Sequence, residues 1–269
     1  MKDLPWHSKT ILALAAFLPV FFLIAALGTK IGIWGWQIGL LALTMGGGFL
    51  LAAGLALVSL VSLVLVLVLL KKPRNNTRAG IALSGVVVAG AVLITFGSMA
   101  STAQDNPIHD VATDTANPPA FSQATMAARE KSGANPLNDY QTPLSEIPLF
   151  AEVSPSLAVR SHAQIITDIY PTLRPLPLGR ATAQAGAAAV AAAMDDLGFK
   201  NIRIDSEAGI VEGVAETRWF GFRDDMVARI GANQIDFRSV SRVGQSDLGA
   251  NAKRIEALRA ATSVRLGGN

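Results

Sequence analysis

The first hundred residues contain a single acidic residue, Asp3, and long stretches with no charge at all. Crossing ~30 Å of hydrocarbon takes about 20 apolar residues at ~1.5 Å each. Three stretches meet that length: Thr10 to Leu27, a core from Phe49 to Leu70 inside the uncharged run that starts at Ile31, and Ala79 to Met99. Helices of a soluble core rarely run so far without a charge, so the pattern predicts three membrane spans. The middle run is long for one span and contains Gly46, Gly47 and Gly48. A break there would leave a first arm too short to cross, so the run reads as one long, tilted or kinked helix. Those glycines and the series Gly80, Gly85, Gly90 predict close helix packing. No Asp, Glu, Lys, Arg or His falls inside the three stretches, which argues against ion-coupled transport as a primary activity.

Orientation follows from the bases in short loops. The loop Lys71 to Arg78, KKPRNNTR, has four, and the loop near Lys30 has one. The former is therefore expected to be cytoplasmic, with Met1 inside and everything after Met99 outside. Trp34 and Trp36 fit an aromatic belt at the outer interface. The expected location is the cell inner (plasma) membrane, multi-pass, with the N-terminus cytoplasmic and the C-terminal domain periplasmic or extracytoplasmic. A cleaved signal peptide over residues 1–26, or cleavage at Ser101-Thr102-Ala103, are the processing alternatives.

From Ser101 onward the chain is ordinary globular material with 19 acids and 16 bases. A slightly negative balance gives no reason to expect nucleic acid. Cysteine is absent, which excludes disulfides, thiolate chemistry and cysteine-based metal sites. The three histidines, His7, His109 and His162, show no HxH or HExxH spacing, so no metal or other cofactor is expected.

Residues 101–150 read as a proline-rich linker, partly packed on the domain because Ile108, Val111, Phe121, Tyr140 and Leu144 interrupt its polar sequence. A short helix is expected near Ser122 to Lys131, and another near Ser156 to Tyr170. Leu173 to Leu178 resembles an edge strand, since its prolines cannot donate ladder bonds. An alanine-rich helix follows over Gly179 to Leu197, ended by Gly198. Strands are expected at Asn201 to Asp205, Gly209 to Phe220, Asp224 to Ile230 and Gln234 to Val243, with turns short enough to make neighbours antiparallel. The last helix, Leu248 to Val264, is capped by Ser246 or Asp247. The fold class is thus a three-span helical membrane region, residues 1–100, the linker, and an α+β domain over 151–269 with an antiparallel sheet and helices on one face.

Polar side chains concentrate between Ile235 and Ile255, where a helix begins. A helix N-terminus can hold an anion, and Arg238, Ser241, Arg242, Ser246, Asp247 and Asn251 are the candidate ligand-binding residues. Strand alternation puts Arg238 and Arg242 on one face about 14 Å apart at ~3.4 Å per residue, too far to clamp one small anion, which narrows the site to Arg242 with the helix start. Asp225, on the neighbouring strand, is the expected structural partner of these arginines. Asp224 and Asp225 are adjacent and point to opposite faces, so they do not converge on a metal or act as a carboxylate pair. A hydrolase using Ser239, Ser241 or Ser246 lacks a GxSxG elbow, and no catalytic residue is assigned.

The run Phe220-Gly221-Phe222-Arg223-Asp224-Asp225, with Ile235 to Gly244 (IDFRSVSRVG) and Ser246 to Asn251 (SDLGAN), resembles the DUF1499 family. Upstream, Ile108-His109-Asp110 and Asn117 to Phe121 (NPPAF) are similar to the lead-in segment of its membrane-anchored bacterial members. The resemblance implies a domain from about residue 105 to the C-terminus and supplies no reaction. The expected function is a membrane-anchored envelope protein whose outward domain binds a partner protein or an anionic ligand such as a lipid headgroup. The alternative is a membrane-bound hydrolase acting at the polar turn before the last helix.

Overall fold

The structure, a computed structural model, describes residues 4–69 and 75–268. It divides into two compact units, Met1–Ser101 with Arg218–Gly221, and Thr102–Thr217 with Phe222–Asn269.

In the first unit, three helices are long and apolar enough to cross a membrane: Trp6–Lys30, Gln37–Val68 and Asn76–Asp105, of 25, 32 and 30 residues. Helix α1 (Trp6–Lys30) starts earlier than the uncharged run. His7 therefore joins the helix ahead of the uncharged stretch, and its Nδ1 shares a 2.7 Å hydrogen bond with Ser62 Oγ. The middle run is one continuous helix. It is wound in wide π-type turns over Gln37–Gly47, then continues as α2 (Gly48–Val64) and a final π-type turn over Leu65–Leu69. At ~1.5 Å per residue it is about 48 Å long, longer than the hydrocarbon, and so must tilt or extend beyond it. Close packing rests on Gly39, where a Cβ would collide with the Thr29 hydroxyl, and on Gly48 and Gly85, where it would strike Phe22 and Ser59. Gly80 and Gly90 have open space around them instead. Of the basic loop 71–78 that sets the expected orientation, residues 71–74 lie outside the described residues.

Helix α3 (Asn75–Asp105) leads into the second unit. Here strands β1 (Asp110–Ala112), β2 (Leu176–Pro177), β3 (Lys200–Asp205), β4 (Ile210–Glu216), β5 (Arg223–Ile230) and β6 (Gln234–Ser241) form one sheet in the order β1-β6-β5-β4-β3, with β2 also on β6. The strand pairs are antiparallel. The expected edge strand at Leu173 to Leu178 shrinks to the two residues of β2, for the proline reason already given. Helices α7 (Ala183–Asp196) and α8 (Ala250–Arg265) pack on one face, over Phe237, Ile235, Met226 and Val211. Gly186 lets α7 come close, because a Cβ there would lie 2.7 Å from Leu178 Cδ1 and 3.3 Å from Ile230 Cγ2.

Residues 113–140 cover the opposite face. They include α4 (Gln123–Lys131), whose N-cap Ser122 accepts from Thr125 N as an S/T cap should. The helix expected near Ser156 to Tyr170 is split into α5 (Pro155–Ala158) and α6 (His162–Ile169), because Ser161 and Gln164 build a capping box that restarts it. Helix α8 begins at Ala250 rather than Leu248, since Leu248 (φ 57°) and Gly249 (φ 78°) are left-handed.

Candidate functional site

Register and alternation sort the polar residues of the sheet onto two faces. Asp225 pairs with Val240 and Asp224 with Ser241, so the two aspartates face opposite ways. On the face covered by 113–140 stand Asp110, Glu212, Asp225, Arg229, Asp236, Arg238 and Arg242. On the helix side stand Asp224, Ser239 and Ser241.

Arg242 is held by Asp225. Its Nη2 donates to Oδ1 at 2.7 Å and its Nε to Oδ2 at 3.0 Å, while Arg129 Nη1 from α4 donates to Oδ2 at 2.7 Å. All three side chains are buried, so one carboxylate bridges two guanidinium groups and the trio carries a net charge of +1. Arg238 takes a different carboxylate. Its Nε and Nη2 donate to the two oxygens of Asp110 at 3.0 and 2.6 Å, and Tyr140 Oη also donates to Asp110. The Arg238 guanidinium lies 5.1 Å from the Tyr140 ring centre and 5.8 Å from that of Phe121, a stacked arrangement that suits a weakly hydrated planar cation. Burial pushes the Asp110 carboxyl up, but Arg238 and the Tyr140 hydroxyl outweigh it and hold the group below the usual carboxylate range. Burial, and next to it the Asp110 charge, push the Tyr140 hydroxyl well up.

The start of α8 is filled from within. Asp247 Oδ1 and Oδ2 accept from Gly249 N at 2.7 Å and Asn251 N at 2.8 Å. Ser246 Oγ donates to Asn106 O at 2.6 Å. Asn251 donates to His109 O and Ser241 Oγ and accepts from Ser239 Oγ, and Arg254 reaches Asp224 at 2.7 Å. Of the six candidates, the structure joins Ser241 to Asn251 directly and Asp247 to Asn251 through its backbone. Arg242 bonds to Asp225 on the other face and Arg238 to Asp110. Desolvation raises Asp247 to about 6 against the two backbone N–H bonds it accepts.

Sequence reasoning missed Arg129, Asp110 and Tyr140 as partners in this network. It also missed two buried histidines. The His162 ring stacks on Tyr140 at 5.5 Å and meets Phe150 edge-on at 5.4 Å, and His109 stacks on Phe150 at 6.0 Å. None of their ring nitrogens carries a hydrogen bond among the described residues. Burial lowers His162 to about 4. It also lowers His109, outweighing the nearby Asp110 charge and the Gln245 backbone, which favour the charged form. Both rings are therefore neutral aromatic fillers at neutral pH. Ser239, Ser241 and Ser246 have the partners given above and none is a histidine. Among the described residues no group of three or more His, Asp and Glu side chains could hold a metal ion.

The surface of the unit offers a 740 Å³ concavity lined by Asn117, Phe121, Ser122, Asp205, Ile210 and Arg229, among others. A neighbouring hollow of 360 Å³ shares Ser122, Asp205 and Ile210 and extends along β3 through Arg203 and Ile204. Strand β3 is exposed over most of its length and, among the described residues, pairs on one side, with β4.

The polar network coincides with the stretch that a family comparison recognises, residues 110–262, matching the family described as "Protein of unknown function (DUF1499)". The chain belongs to the DUF1499 family. The match begins at Asp110, the partner of Arg238, and takes in every strand of the sheet and most of α8, so β1 and the 113–140 cover are part of the DUF1499 unit. No curated protein and no solved structure matches the chain.

Proposed function

We propose that this DUF1499 protein is a multi-pass protein of the cell inner membrane that presents its α+β unit on the extracytoplasmic side and acts there by binding an envelope partner protein. The observation that carries this reading is the internal saturation of the chemistry-bearing side chains. Arg238 and Arg242, the groups suited to an anionic ligand, each have their N–H donors engaged by a buried carboxylate, Arg242 sharing its Asp225 with Arg129, and the α8 start is occupied by Asp247. A nucleophile needs a base within hydrogen-bond reach, and the three serines at the turn are bonded to Asn251, Asn106 and backbone instead. This disfavours the hydrolase and the headgroup site at this turn, and leaves the concavity beside the open edge of β3 as the place for a partner. Inner-membrane location and orientation rest on the four bases of KKPRNNTR against one near Lys30.

The test pairs topology with capture. An alkaline phosphatase fused to the C-terminus is expected to be active. A photo-crosslinking residue at Ile204, beside the concavity, is expected to give a discrete protein adduct that a probe at Val159 does not. An inactive fusion would overturn the orientation. Adducts that are identical at both positions, or only lipid co-purifying with the detergent-extracted protein, would overturn the partner reading.

A further inference from the structure

The tip of the β4–β5 hairpin has a composition unlike the rest of the sheet. The last strand pair is Glu216 with Arg223, and between them runs Thr217-Arg218-Trp219-Phe220-Gly221-Phe222. The loop is closed by Thr217 N donating to Phe222 O at 2.8 Å and by Phe222 N donating to Thr217 Oγ1 at 2.8 Å, with Gly221 at φ 69° completing the turn. A rigid turn thus presents Trp219, which is 55 % exposed. Tryptophan is on average a highly buried residue in water-soluble domains, so leaving this one out is unfavourable unless something covers it. The Arg218 guanidinium lies 5.6 Å from the Trp219 ring centre, and Arg223 stands at the other end of the loop with its side chain 57 % exposed. The loop contains no acid. Of the nearest, Glu216 is closer to Lys200, at 3.1 Å, than to Arg223, at 3.9 Å, and Asp224 is engaged with Arg254 at 2.7 Å.

A cation, three aromatics and a second cation are the mixture that settles at the boundary of a bilayer: the indole in the headgroup layer and the arginines on phosphates. Tether length makes that boundary reachable. Helix α3 runs six residues past Met99, about 9 Å of helix, to Asp105, and four residues separate it from β1, at most ~14 Å of extended chain. The β4–β5 hairpin is itself about 23 Å long, at ~3.3 Å per residue over its paired residues. A tip this small binds a free membrane only weakly. Tethered to one, it meets the surface at an effective concentration that makes weak affinity sufficient. We propose that Arg218, Trp219 and Arg223 dock the hairpin tip into the headgroup layer of the membrane the chain spans, with anionic phospholipid as the recognised chemistry.

The absence of cysteine makes single-site labelling direct. Full-length Trp219→Cys is spin-labelled and reconstituted in vesicles of phosphatidylethanolamine and phosphatidylglycerol, with Val159→Cys as the exposed reference and Ile94→Cys as the in-span reference. Arg218→Cys, which keeps Trp219 in place, repeats the measurement in case loss of the indole lifts the tip. The expected result is an oxygen-over-nickel-chelate accessibility several-fold above that at Val159 and below that at Ile94 for at least one tip label. The aqueous value of Val159 at both tip positions would overturn the proposal. So would spin–spin broadening relieved by unlabelled chain, which assigns the tip to a second copy, or a label shielded from oxygen and nickel alike, which assigns it to protein. The reference labels read correctly in each case, so failure of the tip leaves the membrane anchoring and the partner reading standing.

Discussion

The junction of Arg129, Asp225 and Arg242 allows a sharp test of what holds the sheet to its cover. Three guanidinium N–H groups converge on one fully buried carboxylate, at 2.7 Å from Arg129 Nη1 and 2.7 and 3.0 Å from Arg242. In Asp225→Asn the side chain keeps its size but loses its charge, and one of its two oxygens becomes an NH₂ facing an N–H donor. Two buried cations then have no counterion. Removing one partner of a buried pair costs about 3–5 kcal/mol, a large share of a domain stability of roughly 5–15 kcal/mol. With a urea slope of about 2 kcal/mol/M, the midpoint should fall by ~1.5–2.5 M. The readout is hydrogen exchange of β5 and β6 peptides across a urea series, with the full chain in detergent. Order matters as much as size. Arg129→Met loses its charged bonds to Asp225 and Asn135 O but leaves a neutral, bidentate Arg242–Asp225 pair with no buried charge uncompensated, and should be the mildest, at about 1.5–3 kcal/mol; Arg242→Met should fall between. If Asp225→Asn shifts the midpoint by less than Arg129→Met, the carboxylate is not the keystone of this junction and the reasoning fails.

Two further tests use pH, and their signs oppose. His162, with its folded pKa depressed to about 4, is protonated more readily when unfolded, so stability should fall as pH drops from about 6.5 to about 4. In His162→Phe, which keeps the ring between Tyr140 and Phe150, this loss should vanish from a urea-midpoint profile. Asp247, raised to about 6 from 3.8, binds its proton more tightly when folded, so its contribution is fully present at acid pH and is lost as pH rises from about 4 to about 6. Asp247→Asn should flatten that slope, and an unchanged slope would show that Asp247 titrates normally. Gly249→Ala should lower the thermal midpoint more than Gly133→Ala. Both positions are left-handed, at about 1–2 kcal/mol for a Cβ, but only at Gly249 would that Cβ meet a fixed group, Asn106 Oδ1 at 2.7 Å, which Tyr170 already holds.

What could be read from the sequence was what repeats. Twenty-residue apolar runs marked the spans, alternation marked β6, and the short turn between β5 and β6 put Asp225 beside Arg242. The partner of Arg238 was out of reach because β1 has three residues, Asp110-Val111-Ala112, too few for any periodicity. Arg129 was hidden because α4 looks like a solvated helix, and its one buried cation is 96 positions from its carboxylate. The histidines looked isolated because their stacking partners, Tyr140 and Phe150, lie in a turn and in a single 3-10 turn, Pro148–Phe150, too short for any periodicity. For the candidate site, residue identity was informative and connectivity was not. The same arginines that mark an anion site in sequence are, once paired, unavailable to an anion.

That pairing explains why the 113–140 segment belongs to the domain although it contains little regular structure. Apolar contacts hold α7 and α8 on their face of the sheet, but they are non-directional and would tolerate sliding. The opposite face is held by bonds with one acceptable geometry. Phe237 N donates to Thr113 Oγ1, Arg229 donates to Asp114 and Asn117 O, Arg238 to Pro119 O, Ser122 and Thr125 to Glu212, Arg129 to Asp225, and Asn135 N to Arg242 O. Since buried ion pairs are weak sources of net stability, their physical effect here is register: an irregular chain with no ladder of its own is located, residue by residue, by charges on the strands beneath it. The concavity between Asn117, Phe121 and β3 is shaped by where that chain is located, and Ser122 and Arg229 of the network line it, so the network sets the form of that hollow.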